Sequence, residues 1–124
     1  MTLKMPAMEP SEKEIQNSIL DWLSLQPHCL AWPTASVGLY DPIKKIHRRP
    51  AKHFRRGLSD VIGIWRGAPL AIEVKTRLGR ATHEQKLFIH EFVEQGGIGF
   101  IARSLEDVIN ALNFSDDSRG TSRL

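Results

Sequence analysis

The chain has 124 residues, 41% of them hydrophobic and 25% charged, which suits one soluble domain with a single core and excludes two. One cysteine, Cys29, excludes an internal disulfide and makes a reducing, cytoplasmic setting the expectation. No apolar run reaches the roughly 20 residues of a membrane span, and the opening MTLKMPAMEPSEKE lacks the apolar centre of a signal peptide.

The first helix is expected over Ser11 to Leu25, with Ser11 as its cap and Ile15, Ile19, Trp22 and Leu23 on one face; Pro27 stops it. CLAW (29–32) reads as a short apolar strand ended by Pro33. His28 and Cys29 have no partners at zinc-ligand spacing, so a structural zinc site is not expected. Residues 34–57 hold Gly38, Pro42 and Pro50 and are expected to form a long excursion, with at most a short strand near Ile43 to Ile46. Within it, Lys44 to Arg56 carries seven Lys or Arg, two His and no acid, whereas ten bases face 14 acids in the rest of the chain. The net charge of +3 is therefore concentrated in one place, and such a cluster suits a polyanion such as a phosphate backbone. A solvated charge run is the plainer alternative.

LSDVIGIW and APLAIEVK form the clearest unit, two strands joined by Arg66 and Gly67. A second helix is expected over Thr82 to Gln95, with the stripe Phe88, Ile89 and Phe92, ended by Gly96 and Gly97. IGFIA (98–102) then reads as a buried strand. Ser104 caps a last short helix with apolar positions Leu105, Val108, Ile109 and Leu112. The tail from Asn113 is polar and expected to be disordered, and the segment 1–10 is expected to be a flexible N-terminus, leaving 11–112 as the domain. The order α-β-β-β-α-β-α combines a hairpin with a βαβ crossover and predicts an α/β fold, a mixed sheet flanked by helices. Trp32 and Trp65 are read as core residues.

Strand alternation places Leu70, Ile72 and Val74 on one face and Ala71, Glu73 and Lys75 on the other, with only the first face apolar. A two-residue turn at Arg66-Gly67 sets Asp60 directly opposite Glu73, unless a bulge at Gly63 shifts the register. Two facing carboxylates repel, so a cation is called for. Lys75 supplies one charge, and a hard divalent ion held by oxygen ligands would supply the rest. The alternative is a surface salt bridge between Glu73 and Lys75, with Asp60 in water.

Asp60 after Ser59, then EVK at 73–75 and TRLGRATHEQ at 76–85, resembles the VRR-NUC branch of the PD-(D/E)XK nuclease superfamily. Ser59 stands where that family often has proline. The resemblance spans roughly Ser11 to Leu112 and implies a restriction-endonuclease-like core. It implies that Asp60 and Glu73, with the main-chain carbonyl of Val74, hold Mg²⁺ or Mn²⁺, and that Lys75 orients the attacking water or binds the scissile phosphate. Glu14 would match an acid on the first helix and Gln85 a supporting glutamine. Each has a second explanation, because S-x-x-E at 11–14 and T-x-x-Q at 82–85 are capping boxes. Gln85 falls near the centre of its helix's apolar stripe, where a carboxylate cluster would satisfy its amide; Glu14 sits at the edge of its own.

The implied activity is metal-dependent DNA endonuclease action, structure-selective for branched DNA such as four-way junctions, by a homodimer of phage type. Lys44, Lys45, Arg48, Arg49, Lys52, Arg55, Arg56, Arg77 and Arg80 are the expected DNA contacts. A nicking or restriction-type enzyme on linear duplex, and a non-catalytic DNA-binding module, are the rival readings.

Overall fold

The computed structural model describes residues 8–34, 40–41, 46–47 and 52–120. The elements run α1 (Glu12–Ser24), β1 (Cys29–Pro33), β2 (Tyr40–Asp41), β3 (Ile46–His47), β4 (Val61–Trp65), β5 (Ala68–Val74), α2 (His83–Glu94), β6 (Ile98–Ala102) and α3 (Leu105–Gly120). This is the expected order with a small antiparallel β2–β3 pair added inside the excursion. β3 meets the expected strand only at Ile46, and residues 42–45 lie outside the described residues.

The main sheet has the order β1-β4-β5-β6. β1, β4 and β5 are antiparallel, and β6 joins β5 in parallel through the α2 crossover. Trp65 pairs with Ala68, Gly63 with Leu70 and Val61 with Ile72, so the hairpin keeps the register set by its two-residue turn and has no bulge at Gly63. Both turn residues take positive φ, 48° at Arg66 and 87° at Gly67, as a tight hairpin turn requires. Gly63 serves instead the close approach of β1, since a Cβ there would run into the Leu30 carbonyl and the Ala31 side chain.

The core lies on one face of this sheet. Ile15, Ile19 and Leu23 of α1 and Val108 and Leu112 of α3 pack on Val61, Trp65, Leu70, Ile72, Val74 and Ala102, and all of them are buried. Trp22 stacks on Trp65 at 6.0 Å between ring centroids. α2 lies on the other face, where Gly99 faces Ile89 and Val93; a Cβ there would meet their methyl groups at 3.4 Å.

Three expectations are corrected. Both faces of β5 are buried over residues 70–74, because α2 covers the side that carries Ala71 and Glu73. Trp32 is not a core residue: it is 45% exposed on the α2 side of the sheet, next to Leu30 and Ile64, beyond the reach of α2. The polar tail is helical through Gly120, because the Asp116 carboxylate accepts hydrogen bonds from Trp65 Nε1 at 2.8 Å and Arg66 Nη1 at 2.6 Å. Among the described residues no helix is long and apolar enough to cross a membrane.

Candidate active site

The hairpin ladder ends at Val61–Ile72, and the next position places Asp60 beside Glu73. Asp60 leaves the strand there and its Oδ2 accepts the Val74 N–H at 2.8 Å. Its main chain is fixed from β1, since Thr34 N–H donates to the Asp60 carbonyl at 2.8 Å and Thr34 Oγ1 to the Ser59 carbonyl at 2.6 Å. Glu73 points under α2 and is 1% exposed. Lys75 Nζ lies 3.5 Å from Glu73 Oε1, with its own side chain 12% exposed. This burial rules out the surface salt bridge that the spacing alone allowed.

Buried charge demands compensation. Glu73 Oε2 is buried and has no hydrogen-bond partner. Burial first, and the Asp60 carboxylate second, raise the Glu73 carboxyl to about 7, against the opposing pull of Lys75. With both carboxylates ionised neither can donate, so a proton on Glu73 supplies the missing donor between them. A cation would remove the same deficit. Two adjacent carboxylates, one with an orphaned buried oxygen, are a fitting oxygen donor set for a hard divalent ion.

Glu14 is not brought into this group. It is exposed at the start of α1, where its amide donates to Ser11 Oγ at 3.1 Å and its Oε1 accepts from that hydroxyl at 3.2 Å. Among the described residues no three His, Cys, Asp or Glu side chains converge as a metal cluster. Gln85 closes the capping box of α2: its Oε1 accepts the Thr82 N–H at 2.8 Å, and its own N–H donates to Thr82 Oγ1 at 3.1 Å. Its carboxamide oxygen is thus spent on the helix end rather than on the carboxylates.

The expected DNA contacts divide into three groups. Lys44, Lys45, Arg48 and Arg49 lie outside the described residues. Lys52, Arg56 and Arg80 are exposed. The other two have acidic partners. Arg55 pairs with Glu91 at 2.5 Å and lies 5.2 Å from the Phe88 ring centroid, and Arg77 Nε pairs with Glu9 at 2.8 Å. The cations lie on two loops: 52–58 leads into Asp60, and 76–80 leads away from Lys75. Gly57 seats the first loop on the N-terminal turn of α2, where a Cβ would collide with the Glu84 main chain. Sequence reasoning passed over Arg103, whose guanidinium binds the main chain of the second loop. Its only sequence signal is its place directly after the last strand.

The sequence profile of the VRR-NUC domain matches residues 10–105. The chain belongs to the VRR-NUC family. It is similar to a solved structure described as a VRR_NUC domain protein, at 24% identity with a TM-score of 0.59, over 86% of this chain and 88% of the other. That likeness supports the restriction-endonuclease-like fold. None of the curated proteins matches the sequence. Membership makes this a nuclease-family domain.

Proposed function

We propose that this VRR-NUC domain is a divalent-metal-dependent endodeoxyribonuclease whose site is Asp60, Glu73 and Lys75. The observation that carries this reading is Glu73, buried beside a second carboxylate with one oxygen unpartnered. A stability-driven sequence would put glutamine or an apolar residue there, since burying a carboxylate beside a second one is costly even with Lys75 3.5 Å away.

Asp60, Glu73 and the Val74 carbonyl would hold Mg²⁺ or Mn²⁺. Such an ion supplies Lewis acidity, offsetting negative charge on the phosphate and easing ionisation of water. Asp60 is held in place by the Val74 N–H, so its carboxylate loses little freedom in accepting a ligand. Lys75, anchored by its N–H to the Ala102 carbonyl at 3.0 Å, keeps a fixed positive charge at the mouth of the site, where the scissile phosphate gains charge during attack. Hydrolysis forms one P–O bond to water oxygen and breaks one to the leaving ester oxygen, which takes up a proton. Lys52, Arg56 and Arg80 sit on the loops that flank this point and suit backbone contacts that carry no sequence information. Arg55 and Arg77 would have to exchange Glu91 and Glu9 for phosphate to join them.

The same reading extends to branched DNA cut by a homodimer, because two sites related by a two-fold axis match the symmetry of a four-way junction. The test is a cleavage assay on labelled four-way junction, flap, nicked and linear duplex with Mg²⁺, Mn²⁺ or EDTA. Metal-dependent cutting, strongest on the junction, is the expected result, and Lys75→Ala should abolish it while DNA binding persists. Binding without metal-dependent cutting of any substrate would leave a DNA-binding module instead.

A further inference from the structure

Lys75 is the last residue before a loop, and a side chain that must meet a phosphate there needs a rigid main chain behind it. The rigidity comes from the neighbouring strand. Arg103 follows Ala102 at the end of β6, and its guanidinium turns back across the strand pair. Nη1 donates to the carbonyls of Thr76 at 2.6 Å and Gly79 at 2.5 Å, with the Arg77 carbonyl at 3.3 Å. The loop is a closed turn: the Gly79 N–H donates to the Thr76 carbonyl at 3.1 Å and faces Thr76 Oγ1 at 3.2 Å. Arg103 is itself tied down, its N–H donating to Asp107 Oδ2 at 2.8 Å, while the Asp107 N–H donates to Ser104 Oγ at 3.2 Å. Among the described residues no carboxylate pairs with this guanidinium.

We propose that Arg103 is a positioning residue: it clamps residues 76–79 to the cap of α3 and so fixes Lys75 against Glu73. All three carbonyls face one nitrogen, Nη1, whose two N–H groups serve Thr76 and Gly79 with Arg77 as the longer contact; a lysine ammonium sits one bond nearer its own main chain and would fall short of the same carbonyls. Arg77 and Arg80 flank or sit on the clamped turn, so their reach toward a DNA backbone is set by the same contact. The catalytic consequence rests on the nuclease reading above, whereas the clamp itself does not.

Arg103→Ala and Arg103→Lys separate the two. In metal-free protein, amide exchange at Gly79 should speed up about tenfold or more in both variants, while core amides such as Ile72 keep their protection. With junction substrate and Mg²⁺, kcat should fall on the order of a hundredfold and KM by no more than a few-fold, because a misplaced catalytic group costs turnover before binding. Millimolar guanidinium should restore part of the kcat of Arg103→Ala and leave wild type unchanged. Unchanged exchange at Gly79 would overturn the clamp, and a rise in KM alone would overturn the positioning of Lys75. If wild type cuts nothing, the nuclease reading falls and Gly79 exchange still decides the clamp. Should Arg103→Ala fail to fold, Arg103→Lys carries the same test.

Discussion

The two faces of the sheet are built to different standards. Toward α1 and α3, side chains from both helices and three strands close over one another, and Ile19, Leu70, Ile72 and Leu112 are wholly buried. Toward α2 the cover is partial: α2 contributes no fully buried residue, Val93 is 47% exposed, and Leu30, Trp32 and Ile64 stand uncovered. Yet this thinner side holds the most deeply buried ionisable group among the described residues, Glu73. One face holds the fold, and the other, relieved of that task, tolerates a carboxylate pair that weakens it.

The largest test of this division is a pair of truncations. Ile19→Ala should cost about 2–5 kcal/mol in urea unfolding, as deletions in a closed core do. Val93→Ala, half-exposed where α2 meets Gly99 of β6, should cost no more than about 1 kcal/mol. Equal losses would mean that the two faces share the load.

Next comes the pH dependence that Glu73 imposes. Its folded value of about 7 lies above its ordinary 4.5, so the folded state keeps a proton that the unfolded chain has released. Stability in EDTA should therefore be highest below about pH 4.5 for this group and fall as pH rises to 7, by up to about 3 kcal/mol. Glu73→Gln should remove that component. A profile unchanged by the substitution would place the proton elsewhere.

A smaller effect belongs to the well-packed side. Asp116→Ala strips the buried Trp65 indole N–H of its acceptor and breaks the pair with Arg66, and should cost about 1–3 kcal/mol, with loss of helix signal from the end of α3. The smallest concerns Ser59, which is fully buried with its hydroxyl unpartnered. Ser59→Ala should raise stability by no more than about 1 kcal/mol; a loss would reveal a partner for that hydroxyl.

The hairpin was the most legible part of the sequence. Strand parity and a two-residue turn are local, and together they set the register that brings Asp60 to Glu73. The burial of Glu73 was not legible, because α2 reaches it only through the crossover, and alternation alone makes an acidic face look solvent-exposed. The end of α3 was missed for a similar reason: NFSDDSRG is polar apart from Phe114, and its anchor is Asp116 on residues some fifty positions earlier. Gln85 was only half legible. Its place in the apolar stripe pointed to the carboxylates, while the helix end two turns away from Phe92 claimed its side chain. Arg103 left no pattern at all, since its partners are main-chain carbonyls, which every sequence has.

The central claim is that Glu73 serves chemistry and not stability. Glu73→Gln should be assayed in one preparation for Mg²⁺-dependent junction cutting and for thermal unfolding at pH 8 in EDTA. Cutting should fall by at least about a hundredfold while the melting temperature holds or rises. Retained cutting, or a loss that comes with a lower melting temperature, would contradict it.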